Sequence, residues 1–333
     1  MSTEKVIAGL KKKQYNAVYW LEGDEDFYID QVMDYAETHI LTESEASFNL
    51  TVFYGRDADW AAVVNACRRY PMFAERQVVL LKEAQDMRGI EKLESYIEKP
   101  LHSTILLIAY KGKKVDKRTK LAKVLKDRGA IVTTKKLYDN ELPHFTLELV
   151  KSKGFTINNK ALALLIDHIG NDLNRLNNEI DKLALNLGDS KGITEDHIEK
   201  YVGISKEFNV YELQNAIAQR NLYKALRIVQ YFESNPKAGP LQLIFPSLYN
   251  FFSKVQAVLS VGSRDEKVVA AEVGISAWFV KDYLQTAARY DTAGIEKILL
   301  LLHVYNLKSI GINDAGTEDM ELLKELIVKI IQH

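Results

Sequence analysis

The chain changes character once along its length, and that change constrains its fold more than any single motif. Up to about residue 140 short β-rich runs alternate with helical patterns, and from about Leu142 onward the β-type runs stop. Parallel strands need a crossover of a dozen or so residues between them, so the alternation points to a parallel sheet with helical connections. Strands are predicted near Val18 to Leu21, Asn49 to Tyr54, Gln77 to Leu81, Ser103 to Ala109 and Ala130 to Thr134. Helices are predicted near Phe27 to Ile40, Asp59 to Tyr70, Ile90 to Glu98 and Arg118 to Asp127, each long enough for a right-handed βαβ crossover.

Beyond the boundary the periodicity is helical. Pro143 opens a helical stretch that Gly154 ends, and two more helices follow around Asn159 to Gly170 and Asp172 to Leu187, with a polar turn at 188–192. This smaller helical unit ends near Gly203. A larger block runs from Tyr211 to the C-terminus, with loops marked by Asn235 to Pro240, Gly262-Ser263 and Gly311 to Gly316. Its segment Leu243, Ile244, Phe245, Leu248, Tyr249, Phe251, Phe252, Val255 is apolar around much of its circumference, as expected of a helix buried on two sides.

Several function classes are excluded early. With a formal net charge of −1, no whole-molecule field draws the chain to nucleic acid or to an anionic membrane, so any DNA contact must be local. A single cysteine, Cys67, rules out an internal disulfide framework and fits a reducing compartment. The N-terminus lacks a signal-peptide pattern, and the most apolar run, 298–302, is too short to span a bilayer, so a cytoplasmic protein is expected. The 7 histidines are scattered without metal-ligand spacing, and Cys67 falls on the inner face of its helix, where a structural thiol is expected. No metal, no cofactor and no catalytic residue are expected.

The first strand leads through Glu22-Gly23-Asp24-Glu25-Asp26 straight into a helix, the topological place of a phosphate-binding loop. The chemistry does not suit a phosphate. Such a loop needs several glycines, a lysine and a hydroxyl, whereas a single glycine stands here among four carboxylates that would repel a triphosphate. Those carboxylates suit the positive end of the following helix. The third strand ends in Lys82-Glu83, with a lysine where a working ATPase of this layout carries its metal-holding carboxylate. Topology alone also fits a sheet unrelated to ATPases.

Apolar positions Trp60, Val63, Val64, Cys67 and Tyr70 follow helical spacing, with Asp57 or Asp59 placed to cap the start. Proline disfavours a helical residue before it, so Pro71 stops the helix and leaves Met72 and Phe73 at its end. From these residues alone both side chains are either core or an outward-facing apolar pair. The run Lys113, Lys114, Lys117, Arg118 is either a solvated loop or a local contact for DNA phosphates. Residues 268–276 followed by an apolar helix imitate a helix-turn-helix, but Lys281 and Arg289 are too few for a recognition helix.

Four stretches, taken in order, carry a resemblance: VYWLEGDE at 18–25, CRRYPMFAERQVVL at 67–80, KVDKRTK at 114–120 and GNDLNRLNNEIDKL at 170–183. Together they resemble the delta-subunit family of the bacterial DNA polymerase III clamp loader, over nearly the whole chain. The resemblance implies an α/β parallel-sheet AAA+-like domain with a degenerate nucleotide site at 1–140, a small all-α lid at 141–208 and an all-α collar at 209–333. It implies an interaction subunit of a nucleotidyltransferase holoenzyme with no activity of its own. Its implied partners are the sliding clamp (beta), the tau/gamma ATPase subunits, delta prime and primer-template DNA, with no membrane. In the family, the residues matching Met72 and Phe73 insert into an apolar pocket on the clamp, so Tyr70, Pro71, Met72 and Phe73 are the implied clamp-binding residues. Methionine stands here where leucine is common, with similar volume and more flexibility. Burying Met72 and Phe73 contributes about 3 to 6 kcal/mol, against roughly 8 kcal/mol for a micromolar complex. Leu173 lies about where an AAA+ lid offers a phosphate-sensing arginine, with Arg175 close by. Two other readings stand beside this one: an active AAA+ ATPase with an atypical phosphate loop, and a helix-turn-helix DNA-binding regulator.

Overall fold

The runs VYWL, VVLL and ILLIA are apolar at every position, and only a strand covered on both faces accommodates that. The computed structural model describes residues 2–188, 190–314 and 316–333, and the chain divides into two compact units, Met1–Leu137 and Tyr138–His333. In the first unit, β1 (Val18–Gly23), β2 (Leu50–Tyr54), β3 (Gln77–Lys82), β4 (Thr104–Lys111) and β5 (Ala130–Thr134) form one parallel sheet in the order β2-β3-β4-β1-β5. Side chains alternate across it. Val18, Trp20, Val79, Leu81, Leu106 and Ile108 pack on one face against Val63, Cys67 and Leu125. Tyr19, Leu21, Val78, Leu80, Ile105 and Leu107 pack on the other against Ile29, Val32 and Met33.

The helices of this unit are α1 (Thr3–Lys11), α2 (Asp26–His39), α3 (Glu43–Asn49), α4 (Trp60–Cys67), α5 (Glu94–Ile97) and α6 (Lys120–Arg128). Two of them depart from the sequence expectation outright. Helix α1 sits in the segment read only for targeting signals, capped by Ser2 and buried through Val6 and Leu10. Helix α3 carries a Thr42/Glu45 capping box and takes in Asn49, which therefore ends a helix and does not open the strand. The helix expected over 90–98 divides into a 3₁₀ turn at Ile90–Leu93 and the short α5. The helix expected from Asp59 to Tyr70 stops at Cys67, and Asp59 occupies its N-cap without a side-chain hydrogen bond.

The second unit contains α7 (Leu142–Ser152), α8 (Asn159–Ile169), α9 (Leu173–Leu187), α10 (Glu195–His197), α11 (Val210–Ala218), α12 (Leu222–Ser234), α13 (Leu241–Val261), α14 (Glu266–Val273), α15 (Val280–Ala287), α16 (Thr292–Ser309) and α17 (Asp319–Ile331). Its β-content is not zero: β6 (Thr156–Ile157) pairs in parallel with β7 (Gly192–Ile193). Two-residue strands carry no readable period, so the sequence could not announce them. Of the expected turns at 188–192 and 311–316, residues 189 and 315 lie outside the described residues. Helix α13 is wrapped as its apolar girth requires, with Ile244, Leu248, Phe252 and Val255 inside a core shared with α11, α12, α16 and α17. No described helix is long and apolar enough to cross a membrane.

Candidate functional site

At the end of β1, Gly23 packs tightly against Thr134 at the end of β5. Gly23 has φ +130°, and a Cβ there would stand 2.2 Å from the Thr134 carbonyl oxygen, so glycine is required for packing against the neighbouring strand. The amides that a phosphate loop would turn outward are spent internally. Gly23 N–H donates to the Lys113 carbonyl (3.1 Å) and Asp24 N–H to the Thr134 carbonyl (3.4 Å). Glu25 N–H donates to Thr134 Oγ1 (3.2 Å), and the Glu25 carboxylate caps α2 by accepting from Phe27 N–H (3.3 Å).

The surrounding charges are also committed. Glu22 is buried and accepts from Trp20 Nε1 (2.9 Å), Val115 N–H (2.8 Å) and Thr133 Oγ1 (3.2 Å), which ties the loop after β4 to β1. Lys82 pairs with Glu37 at 2.6 Å, and Lys111 pairs with Asp30 at 2.7 Å and Glu83 at 3.4 Å. Burial raises the carboxyls of Asp26 and Asp34 above the ordinary range, with these lysines pulling the other way. Among the described residues no group of three or more His, Cys, Asp or Glu side chains is arranged to hold a metal.

The four basic residues singled out in the loop after β4 are all exposed, but two are tied to neighbouring acids. Lys114 pairs with Asp24 (3.3 Å), and Arg118 forms a fork with Asp116 (2.7 Å). Lys113 and Lys117 stand in solvent beside them.

The Pro71 turn is where apolar surface is presented. Helix α4 ends three residues before the sequence expectation because its last carbonyls are captured by side chains from β3, α5 and β4. The Cys67 carbonyl accepts from Thr104 Oγ1 (2.9 Å) and Tyr96 Oη (3.3 Å), and Gln77 Nε2 reaches the Ala66 carbonyl (3.2 Å) and the Arg69 carbonyl (2.5 Å). A helix end buried in this way needs such partners for its orphan carbonyls. Past it, Tyr70 is 78% exposed, Met72 54% and Phe73 95%, so the pair faces solvent and is not part of the core.

Phe73 is moreover held at φ +53°, a left-handed conformation rare for a bulky residue and costing about 1 to 3 kcal/mol unless its surroundings impose it. What imposes it was not legible in the sequence. Asn49, buried at the end of α3, accepts from Met72 N–H through Oδ1 (2.6 Å) and donates to the Met72 carbonyl through Nδ2 (2.9 Å). Downstream, Arg76 donates to the His102 carbonyl (2.8 Å) and lies over the Tyr15 ring. Phe48, 67% exposed, adds a further apolar side chain next to Asn49 in sequence. No sequence signal separates a buried asparagine from an exposed one, and only the spacing from Asn49 to Met72 in three dimensions makes it visible.

Other expected elements resolve into packing. Val269, Ile275 and Val280 of the helix-turn-helix imitation form a small core with Val258. Leu173 is buried, while Asp172 caps α9 by accepting from the Arg175 N–H (2.9 Å) and the exposed Arg175 guanidinium approaches His168 Nε2 (3.4 Å). Within the second unit a cavity of about 300 Å³ is lined by Asp167, Tyr211, Ser247, Lys254, Asp282 and Tyr283, among others. Burial there pushes the Asp167 carboxyl up to about 6, against hydrogen bonds from Ser247 and the Tyr211 backbone, and pulls Lys254 down.

Residues 19–135 match the family described as DNA polymerase III, delta subunit. Over 336 residues the chain is 26% identical to the DNA polymerase III subunit delta of Bacillus subtilis, covering 97% of this chain and 95% of that protein. It is 23% identical over 292 residues to the Probable DNA polymerase III subunit delta of Aquifex aeolicus, covering 82% of this chain and 81% of that one. Among solved structures, the Bacillus subtilis DNA clamp loader delta protein aligns over 99% of this chain and 100% of its own with a TM-score of 0.52 at 23% identity. The shared fold is thus a five-stranded parallel sheet with covering helices, followed by a mostly helical remainder.

Proposed function

We propose that this chain, a relative of the DNA polymerase III delta subunits along nearly its whole length, is a clamp-loader subunit that engages the ring-shaped sliding clamp through Met72 and Phe73. The observation that carries the reading is a phenylalanine, 95% exposed, in a left-handed turn that the buried Asn49 holds by hydrogen bonds to Met72. An apolar side chain kept out of the core at a cost in backbone strain is explained by a partner that receives it. Tyr70 and Pro71 frame that contact.

By preferring the open ring, such a contact shifts the clamp's equilibrium toward opening without hydrolysis by this chain. ATP turnover then belongs to the tau/gamma partners, and delta prime completes the assembly. Internally satisfied amides and lysines paired to carboxylates support a sheet end that has lost nucleotide chemistry. In this proposal residues 1–140 form the clamp-contacting AAA+-like domain, 141–208 a lid and 209–333 a collar that joins the other subunits. Lys113, Lys117 and, less freely, Lys114 and Arg118 are the groups placed to meet primer-template phosphates within the assembled complex. Binding of the purified chain to an immobilised sliding clamp tests the reading directly, and failure to bind at micromolar concentration overturns it.

A further inference from the structure

We propose that Asn49 is the positioning residue of the clamp-binding turn, an inference that rests on the clamp-contact reading of Met72 and Phe73. A single side-chain amide satisfies both backbone groups of Met72, donating to its carbonyl (2.9 Å) and accepting from its N–H (2.6 Å), as a strand neighbour would. Its orientation is fixed by a third bond, Nδ2 to the Glu45 carbonyl (2.9 Å), so the amide cannot flip without losing donors to acceptors on both sides.

The need for such an anchor follows from the turn itself. Between Cys67 and Gln77 the chain has neither helix nor strand, and Phe73 buries almost nothing that would hold it. The turn is pinned at two backbone points, the Arg69 carbonyl by Gln77 and Met72 by Asn49, and through one side chain, the Arg76 guanidinium donating to the His102 carbonyl. Only the Asn49 anchor acts on a residue of the apolar pair, and it does so one residue before the left-handed Phe73. Removing it leaves Met72 free to hydrogen-bond to water, since that residue is half exposed, and lets Phe73 relax out of its strained conformation. The clamp then has to order the turn on binding, and ordering one or two residues weakens affinity by about tenfold.

The test compares Asn49→Ala, the Met72→Ala/Phe73→Ala pair and the triple variant in the full chain, with clamp binding by surface plasmon resonance and folding by circular dichroism. Asn49→Ala is expected to weaken binding about tenfold in the native background and by less than about twofold when Met72 and Phe73 are already alanine, because positioning then has nothing to position. Unchanged affinity of Asn49→Ala overturns the proposal, and so does an equal loss in both backgrounds, which is the signature of a merely structural residue. If the Met72→Ala/Phe73→Ala chain binds as well as the native one, the clamp-contact reading falls first, and with it this inference. Should Asn49→Ala fail to fold, amide exchange in the native chain decides: the Met72 amide is expected to exchange at least about tenfold more slowly than those of Phe73 and Ala74, and comparable rates overturn the proposal.

Discussion

Replacing both Met72 and Phe73 by alanine separates an interface from a core more cleanly than any other change in this chain. Phe73 is 95% exposed and Met72 54%, so almost all of the first side chain and about half of the second remain to be buried by a partner. At about 1.5 to 3 kcal/mol for a fully buried side chain, the pair has roughly 2 to 4.5 kcal/mol to contribute in a complex. Losing that weakens binding by about 30- to 1600-fold, at 1.4 kcal/mol per decade. Folding should scarcely register the change, because truncating exposed side chains opens no cavity and stays within about 0.5 kcal/mol. Affinity for the clamp and melting temperature, measured on one preparation, check both halves. A variant that melts several degrees early yet binds the clamp normally would refute the reasoning, since it would place the two side chains in the core.

Four further outcomes follow from the same geometry. Gly23→Ala should destabilise the chain by more than about 2 kcal/mol in urea titrations, because the new Cβ meets the Thr134 carbonyl at a φ that alanine avoids. Asp167 is protonated more readily in the folded chain, about 6 against an ordinary 3.8, so stability falls as pH rises through that window and the full penalty persists above it. Asp167→Asn should therefore be more stable at pH 7, by up to about 3 kcal/mol, and indistinguishable below pH 4; equal stability at both values would contradict the burial account. Calorimetric titration with magnesium ATP should give no stoichiometric heat at micromolar concentration, given the loop amides already bonded within the protein. A fragment of residues 1–137 should fold alone and retain clamp binding, as the compact first unit contains the Pro71 turn and its anchors; a folded fragment that does not bind would move the contact elsewhere.

Composition and periodicity alone determined the architecture: a sheet of five parallel strands ahead of about residue 140, and helices after it. Apolar runs such as VVLL and ILLIA are local statements about burial, and strand β5 falls at Ala130–Thr134 as its residues require. That four carboxylates surround the one glycine after β1 is a local statement of the same kind, readable wherever the segment lies. Where helix α4 ends was not local at all. Pro71 permits helix up to Arg69, but Gln77, Tyr96 and Thr104, carried by β3, α5 and β4, claim the carbonyls of Ala66 and Cys67, and the helix ends two residues sooner. The outward pose of Phe73 likewise depends on Asn49, 23 residues upstream of Met72. Hydrogen bonds between residues distant in sequence leave no period and no composition bias behind them, so the sequence named the apolar pair while only the tertiary structure decided that it faces outward and what holds it there.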